Sequence, residues 1–254
     1  MRLGRISCKS RKWSAGASPA RYTGSVADYG QFCTVARGAE VIGELWTPLV
    51  VRELLCGSRR FNDIRRGVPR MSQTLLAKRL RKLEEVGVVE RRRGADGWEY
   101  HLTPAGEELR PIVVSIGHWG ARWIGSRLAK EQLDAGLLMW DIRRSARLEE
   151  FPKGRRTVVH FRLGDARARE RVWWLVVENA SIDLCRDDPG HELDVIVDST
   201  VRALTEIWTG DSDPRTELAA GHLRVTGAGR GGALLWRWLG RSMFAPSRRN
   251  MPSP

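Results

Sequence analysis

The sequence predicts an α+β chain built from two unlike parts, and three observations carry that reading. Charge is uneven: residues 1–130 hold 24 Lys and Arg against 12 Asp and Glu, whereas residues 131–254 hold 19 against 18. Nearly all of the net +13 therefore sits in the first part. Apolar residues between Gln31 and Trp123 recur at helical spacing, broken by one alternating stretch. Four segments between Arg156 and Ser199 then switch to period two, the mark of half-buried strands. A basic part joined to a balanced one suggests that the first meets a polyanion and the second does something else.

Residues 1–25 carry Arg2, Arg5, Lys9, Arg11, Lys12 and Arg21 among Ser, Gly and Ala, and lack the apolar core of a signal peptide. They read as a disordered basic arm; a later start of translation is the alternative. Val35, Ala39, Val41 and Ile42 place a first helix closed by Gly43. Trp46, Leu49, Val50, Leu54 and Leu55 place a second, stopped at Cys56-Gly57, and Phe61, Ile64 and Val68 a short third, ended by Gly67 and Pro69.

Ser72 is a natural N-cap for a fourth helix, because its hydroxyl can accept from the unpaired amides of the next turn. On that helix Leu75, Leu76, Leu80, Leu83 and Val86 form one stripe, with Gln73, Thr74, Ala77, Lys78 and Arg81 opposite. Arg79 falls inside the apolar arc and is expected to snorkel outwards. Glu84 and Glu85 close the helix, so its start is polar or basic and its end acidic. That polarity suits a helix whose first turns enter the DNA major groove. After Gly87, "VVERRRGADGWEYHLT" reads as a hairpin with its turn at "GADG" and Trp98, Tyr100 and Leu102 alternating on the return.

Helices followed by a basic hairpin make a winged helix-turn-helix. Its expected DNA-binding residues are Ser72, Gln73, Thr74, Ala77, Lys78, Arg81 and Lys82 on the fourth helix, Arg91, Arg92 and Arg93 on the wing, and the pair Arg59 and Arg60 on backbone phosphate.

Here a resemblance becomes specific. Cys33 before the first helix, Gly43 with Trp46, Arg52-Glu53-Leu54 and "GSRRFNDI" all occur in order, followed by "LRKLEEVG", "LTPAG" and Trp119-Gly120. Over about residues 31–125 the chain resembles the HxlR family of bacterial winged-helix transcriptional regulators. The resemblance implies dimers, operator binding and local control of neighbouring genes. It also places Cys33 where several such regulators carry a redox-sensing cysteine. Arg37 nearby can lower a thiol pKa, and a buried, inert cysteine is the alternative. No resolving partner lies near Cys33 in sequence, so sensing would require an intersubunit disulfide. Cys56 is expected in the core.

Thr103 can cap a further helix with Pro104 in its first turn. Leu109, Ile112, Val113, Ile116, Trp119 and Trp123 then form a long apolar stripe, read as the dimer interface, with contact to the following domain as the alternative. Pro111 predicts a kink.

In the balanced part, Leu133, Leu137, Leu138, Trp140 and Ile142 mark a linking helix. "RTVVHFRL", "RVWWLVVE", "ASIDLCRD" and "ELDVIVDS" are strands in a meander, with turns at Gly164, Asn179 and Pro189-Gly190. "TVRALTEIWTG" and "PRTELAAGHL" are helical, "LRVTG" is a strand, and "GALLWRWLGRSMF" a last helix. Asp198, Leu204, Ile207-Trp208 and Gly210, then Leu218, Gly221, Leu223, Val225 and Gly227, resemble the sterol-carrier-protein-type domain over about residues 137–244. That family's fold encloses an apolar tunnel. Trp173, Trp174, Trp208 and Trp236 are the candidates for lining it, with ordinary core as the alternative.

The expected organisation is a basic arm (1–25), a winged-helix DNA-binding and dimerisation domain (26–130), a sterol-carrier-like α+β domain (131–246) and a disordered tail (247–254). "GAGRGG" matches a dinucleotide fingerprint only formally, because the chain offers no following strand with an acidic residue about 20 positions on. The five histidines are isolated and the four cysteines widely spaced, so no metal, cofactor or catalytic residue is expected. No apolar run reaches the roughly 18 residues of a membrane span. The sequence thus reads as a non-enzymatic, cytoplasmic, nucleoid-associated regulator. Its expected partners are double-stranded DNA, a second copy of itself and an apolar small molecule. The alternative is a lipid carrier whose winged-helix part serves only for dimerisation.

Overall fold

The computed structural model describes residues 29–124, 128–227 and 231–245. The expected arm and tail, Cys8 and the centre of "GAGRGG" lie outside them.

The first part opens with α1 (Thr34–Ile42), α2 (Thr47–Leu55), α3 (Phe61–Gly67) and α4 (Gln73–Glu85). Gly43 caps α1, and the Ser72 hydroxyl accepts from the Leu75 amide at 3.2 Å to start α4. Strands β1 (Val89–Gly94) and β2 (Gly97–Leu102) pair antiparallel with Gly94 opposite Gly97, so the wing turns on Ala95 and Asp96. Val50, Val51, Leu54, Ile64, Leu76, Leu80 and Leu83 form the core between α2, α3 and α4. Each contributes about 1.5–3 kcal/mol by leaving water.

Three expectations are corrected here. Arg79 does not snorkel: it is buried and ion-paired with Glu44 in the α1–α2 connection, which lets a charge sit in the apolar arc. Cys56 is exposed at the α2 C-cap rather than in the core. The helix after Thr103 is broken rather than kinked, into α5 (Pro104–Glu107) and α6 (Arg110–Trp123). Pro111 sits in the first turn of α6, where its missing N–H leaves no bond unmade.

The second part begins with α7 (Ala135–Ser145), capped by Asp134. Strands β3 (Thr157–Leu163), β4 (Val172–Glu178), β5 (Ser181–Cys185) and β6 (Val195–Ser199) follow, then α8 (Val201–Thr209) and α9 (Pro214–Ala219). β7 (Leu223–Gly227) and α10 (Gly231–Leu239) complete it. A two-residue turn joins β4 to β5, with positive φ at both Asn179 (51°) and Ala180 (58°), as tight hairpins require.

The strands are not a simple meander. β3, β4 and β5 run antiparallel in sequence, but β6 returns to pair parallel with β3, giving the order β5-β4-β3-β6-β7. β3 is thereby central, which matches its nearly continuous burial. α7, α8 and α10 cover one face of the sheet, over Met139, Ile142, Phe161, Leu175, Leu204 and Trp238. On the other face Val158, Trp174 and Val176 pack with Leu193 from the β5–β6 connection.

The two parts are docked. α7 packs on α3, and Arg144 of α7 reaches Glu53 of α2 at 2.7 Å. Glu53 is fully buried, and Arg52 and the Ser58 hydroxyl also approach its carboxylate, at 2.6 and 3.4 Å. Arg52 donates as well to the Gly67 carbonyl at 3.0 Å. A second ion pair joins Arg144 to Asp141. Burial raises the Asp141 pKa, with Arg144 and Arg52 pulling it back. Burial also works against the Arg144 charge, but Asp141 and Glu53 outweigh it and raise its pKa. The guanidinium groups of Arg66 of α3 and Arg143 of α7 both lie against the Trp140 ring, at 5.2 and 5.1 Å from its centroid. Farther along, Phe244 packs edge-on against His118 of α6 with centroids 5.4 Å apart, over the space left by Gly117.

Candidate nucleic-acid interface

α4 presents the face that its sequence pattern assigned. Leu76, Leu80 and Leu83 anchor it in the core, so Gln73, Thr74, Lys78 and Arg81 are exposed, with Ala77 half-buried among them and Ser72 exposed at the cap. Among the described residues no acidic side chain pairs with Lys78 or Arg81. Lys82 departs from the expectation: its side chain is only 16% exposed and lies 3.9 Å from Glu85, on the flank of the helix rather than its outer face.

Pairing across the hairpin puts Arg91 and Arg93 on the same face as their partners Tyr100 and Trp98, and Arg92 on the other face opposite Glu99. Arg91 lies 4.0 Å from Glu84 of α4, and Arg92 pairs with Glu90. All three arginines are exposed. The α3 start is tied to the wing, since Arg60 pairs with Asp96 at the turn and the Tyr100 amide donates to the Arg59 carbonyl at 2.8 Å. The Arg59 guanidinium turns inward to donate to the Leu54 carbonyl at 3.1 Å. It therefore closes the C-terminal end of α2 instead of standing out towards a phosphate.

The stripe on α6 divides. Val113 is buried in the winged-helix core with Leu109 half-buried against it, so these two serve the core rather than a partner. Ile112, Ile116, Trp119 and Trp123 remain 45, 50, 59 and 66% exposed. Phe32 and Val35, before and on α1, are exposed as well. Cys33 is exposed at the α1 N-cap, not buried.

The four tryptophans expected around a cavity do not all lie on one face of the sheet. Trp173 and Trp174 are neighbours on a strand and point to opposite faces: Trp173 into the helix-covered core, Trp174 onto His160. Trp208 packs on the core and donates from its indole N–H to the Ser145 hydroxyl at 3.0 Å, while Trp236 is half-buried there. A cleft of about 440 Å³ lies elsewhere, against Leu148, Phe151, Pro152 and Val177, without a tryptophan.

A family model for the HxlR-like helix-turn-helix matches residues 41–127, from the end of α1 past the end of α6. The HTH-type transcriptional regulator YvaP of Bacillus subtilis (strain 168) is 36% identical over 91 residues, covering 35% of this chain and 84% of that protein. The chain belongs to the HxlR-like helix-turn-helix family. The HTH-type regulator YdeP of the same organism is 32% identical over 94 residues, 36% of this chain and 73% of that protein. The solved structure of reduced YodB from B. subtilis is 29% identical over 37% of this chain and 95% of that one, with a TM-score of 0.33.

Sequence reasoning missed the wing's aromatic tip as a surface feature. Trp98 alternates with Tyr100 and Leu102 on the strand, yet it is 49% exposed beside two arginines. Its position beside the "GADG" turn, beyond reach of the core, is the signal that could have found it.

Proposed function

We propose that this HTH-type DNA-binding transcriptional regulator binds its operator as a homodimer, with α4 in the major groove and the wing on the adjacent backbone. The observation that carries the reading is the exposed face of α4. Lys78 and Arg81 stand beside Gln73 and Thr74, so charge for phosphates and amide or hydroxyl groups for base edges leave one surface together. Arg60, Arg91, Arg92 and Arg93 add backbone contacts.

The exposed stripe Ile112, Ile116, Trp119 and Trp123 is the dimer seam in this reading, because two recognition helices must reach grooves about 34 Å apart. Quantitative DNase protection and fluorescence anisotropy on DNA upstream of the chain's own gene test the proposal. Protection of two half-sites about one helical turn apart supports it, and uniform, sequence-independent binding contradicts it.

For the second domain we retain the sterol-carrier-like reading and an accessory role, in the cytoplasm, as part of the regulator. Its five-stranded sheet with helices on one face supports this. An apolar small molecule would enter at the cleft beside Leu148, Phe151 and Val177 rather than among the tryptophans. Among the described residues no helix is long and apolar enough to cross a membrane. A melting-temperature screen with fatty acids and sterols tests the ligand: no shift with any of them removes the sensory role.

A further inference from the structure

We infer that Trp98 is itself a DNA-contacting residue, packing its indole against the sugar–phosphate wall of the groove that the wing meets. The inference rests on the DNA-binding reading above and extends it to a residue outside the recognition helix. Trp98 belongs to no core, and about half of its surface faces solvent. The cross-strand register sets it directly opposite Arg93, and the guanidinium carbons of Arg91 and Arg93 lie 4.4 and 5.7 Å from its ring centroid. Tyr100, on the same face, anchors the base of the hairpin in the winged-helix core.

The tip is also tied to the start of α3. Arg60 pairs with Asp96 at the turn, and the Tyr100 amide is held by the Arg59 carbonyl. The result is a half-exposed apolar ring beside two cations, next to the wing turn and beyond the part of the hairpin that Tyr100 packs into the core. A surface of that kind matches deoxyribose flanked by phosphates: the ring covers the apolar sugar and the guanidinium groups take the phosphate oxygens. The alternative role for Trp98 is internal, a platform that holds Arg91 and Arg93 in position by cation–π stacking. The two roles differ in one measurable respect. A sugar contact contributes affinity without displacing counterions, whereas a positioning role acts through the ion pairs and so through the salt dependence.

The test uses the full chain and two probes, a duplex from upstream of its own gene and an unrelated duplex of equal length, over a series of salt concentrations. Trp98→Ala should weaken binding about tenfold at every salt concentration, as expected for an indole edge returned to water, with the slope of log K against log[salt] unchanged. Trp98→Phe should recover most of that loss. Arg91→Ala with Arg93→Ala should lower the slope by about two. Two results overturn the inference: Trp98→Ala binding like the parent, or Trp98→Ala losing slope as the arginine pair does. If the parent does not prefer the upstream duplex, the DNA reading itself fails, a result separate from any effect at Trp98.

Discussion

Glu53 of α2 and Arg144 of α7 form an ion pair at 2.7 Å between the first and second parts of the chain, with the glutamate fully buried and the arginine side chain 16% exposed. Such a pair contributes little relative to an apolar contact, but removing Arg144 leaves the buried Glu53 with Arg52 alone and takes the ion-pair partner from Asp141. Arg144→Met should therefore lower unfolding stability by about 3–5 kcal/mol. The double variant Glu53→Gln, Arg144→Met should recover only the part of that loss due to Glu53, since Asp141 still lacks its partner. Urea unfolding of the four proteins measures the coupling. Strictly additive losses would mean that the contact is incidental.

Gly67 reports on the same junction from the winged-helix side. A Cβ there would overlap the Glu53 carboxylate, and the Gly67 carbonyl is the acceptor for Arg52. Gly67→Ala should destabilise the protein by about 1–3 kcal/mol through overpacking, read as a lowered melting temperature. An unchanged melting temperature would mean that the buried carboxylate has room to move.

His160 should give stability a pH dependence. Its ring stacks on Trp174 with centroids 4.6 Å apart, and burial, then Arg162, lower its pKa below 6.5, against the opposing pull of Asp188 and Asp198. The unfolded chain therefore takes up a proton first as pH falls below 6.5, and folded stability is lost on the acid side of that value. His160→Gln should flatten the dependence below pH 6.5, measured by thermal melts from pH 5 to 8. An identical profile in the variant would assign the dependence elsewhere.

The α6 stripe makes a prediction about assembly. Glutamate at Ile116 or Trp119, both exposed in the single chain, should leave the fold intact while placing a charge in an apolar seam. Sedimentation should then show a monomer with weakened operator binding. A dimer that survives both substitutions would move the interface to another surface.

Local structure was legible wherever a residue type has one physical reason to be present. Ser72 at the start of α4, the "GADG" wing turn and Asn179 in the β4–β5 hairpin each did what their chemistry implies. Long-range partners were not legible, because no local pattern encodes them. Nothing near Arg79 in sequence points to Glu44, and Arg144 meets Glu53 across 91 positions. The return of β6 to the side of β3 is of the same kind, since alternation fixes a strand's faces but not its neighbours. The separation of Trp174 from the other three tryptophans has a reason the sequence did contain: Trp173 and Trp174 are consecutive in a strand and cannot line one wall.

The central claim is that the outer face of α4 binds DNA. Lys78→Ala with Arg81→Ala tests it most directly, because both side chains are exposed and neither supports the core. Binding of the parent and the double variant to the upstream duplex should be measured by anisotropy between about 50 and 200 mM salt. The account predicts an unchanged melting temperature, a large loss of affinity and a salt slope lower by about two. A double variant that keeps the parent's affinity and slope would contradict it.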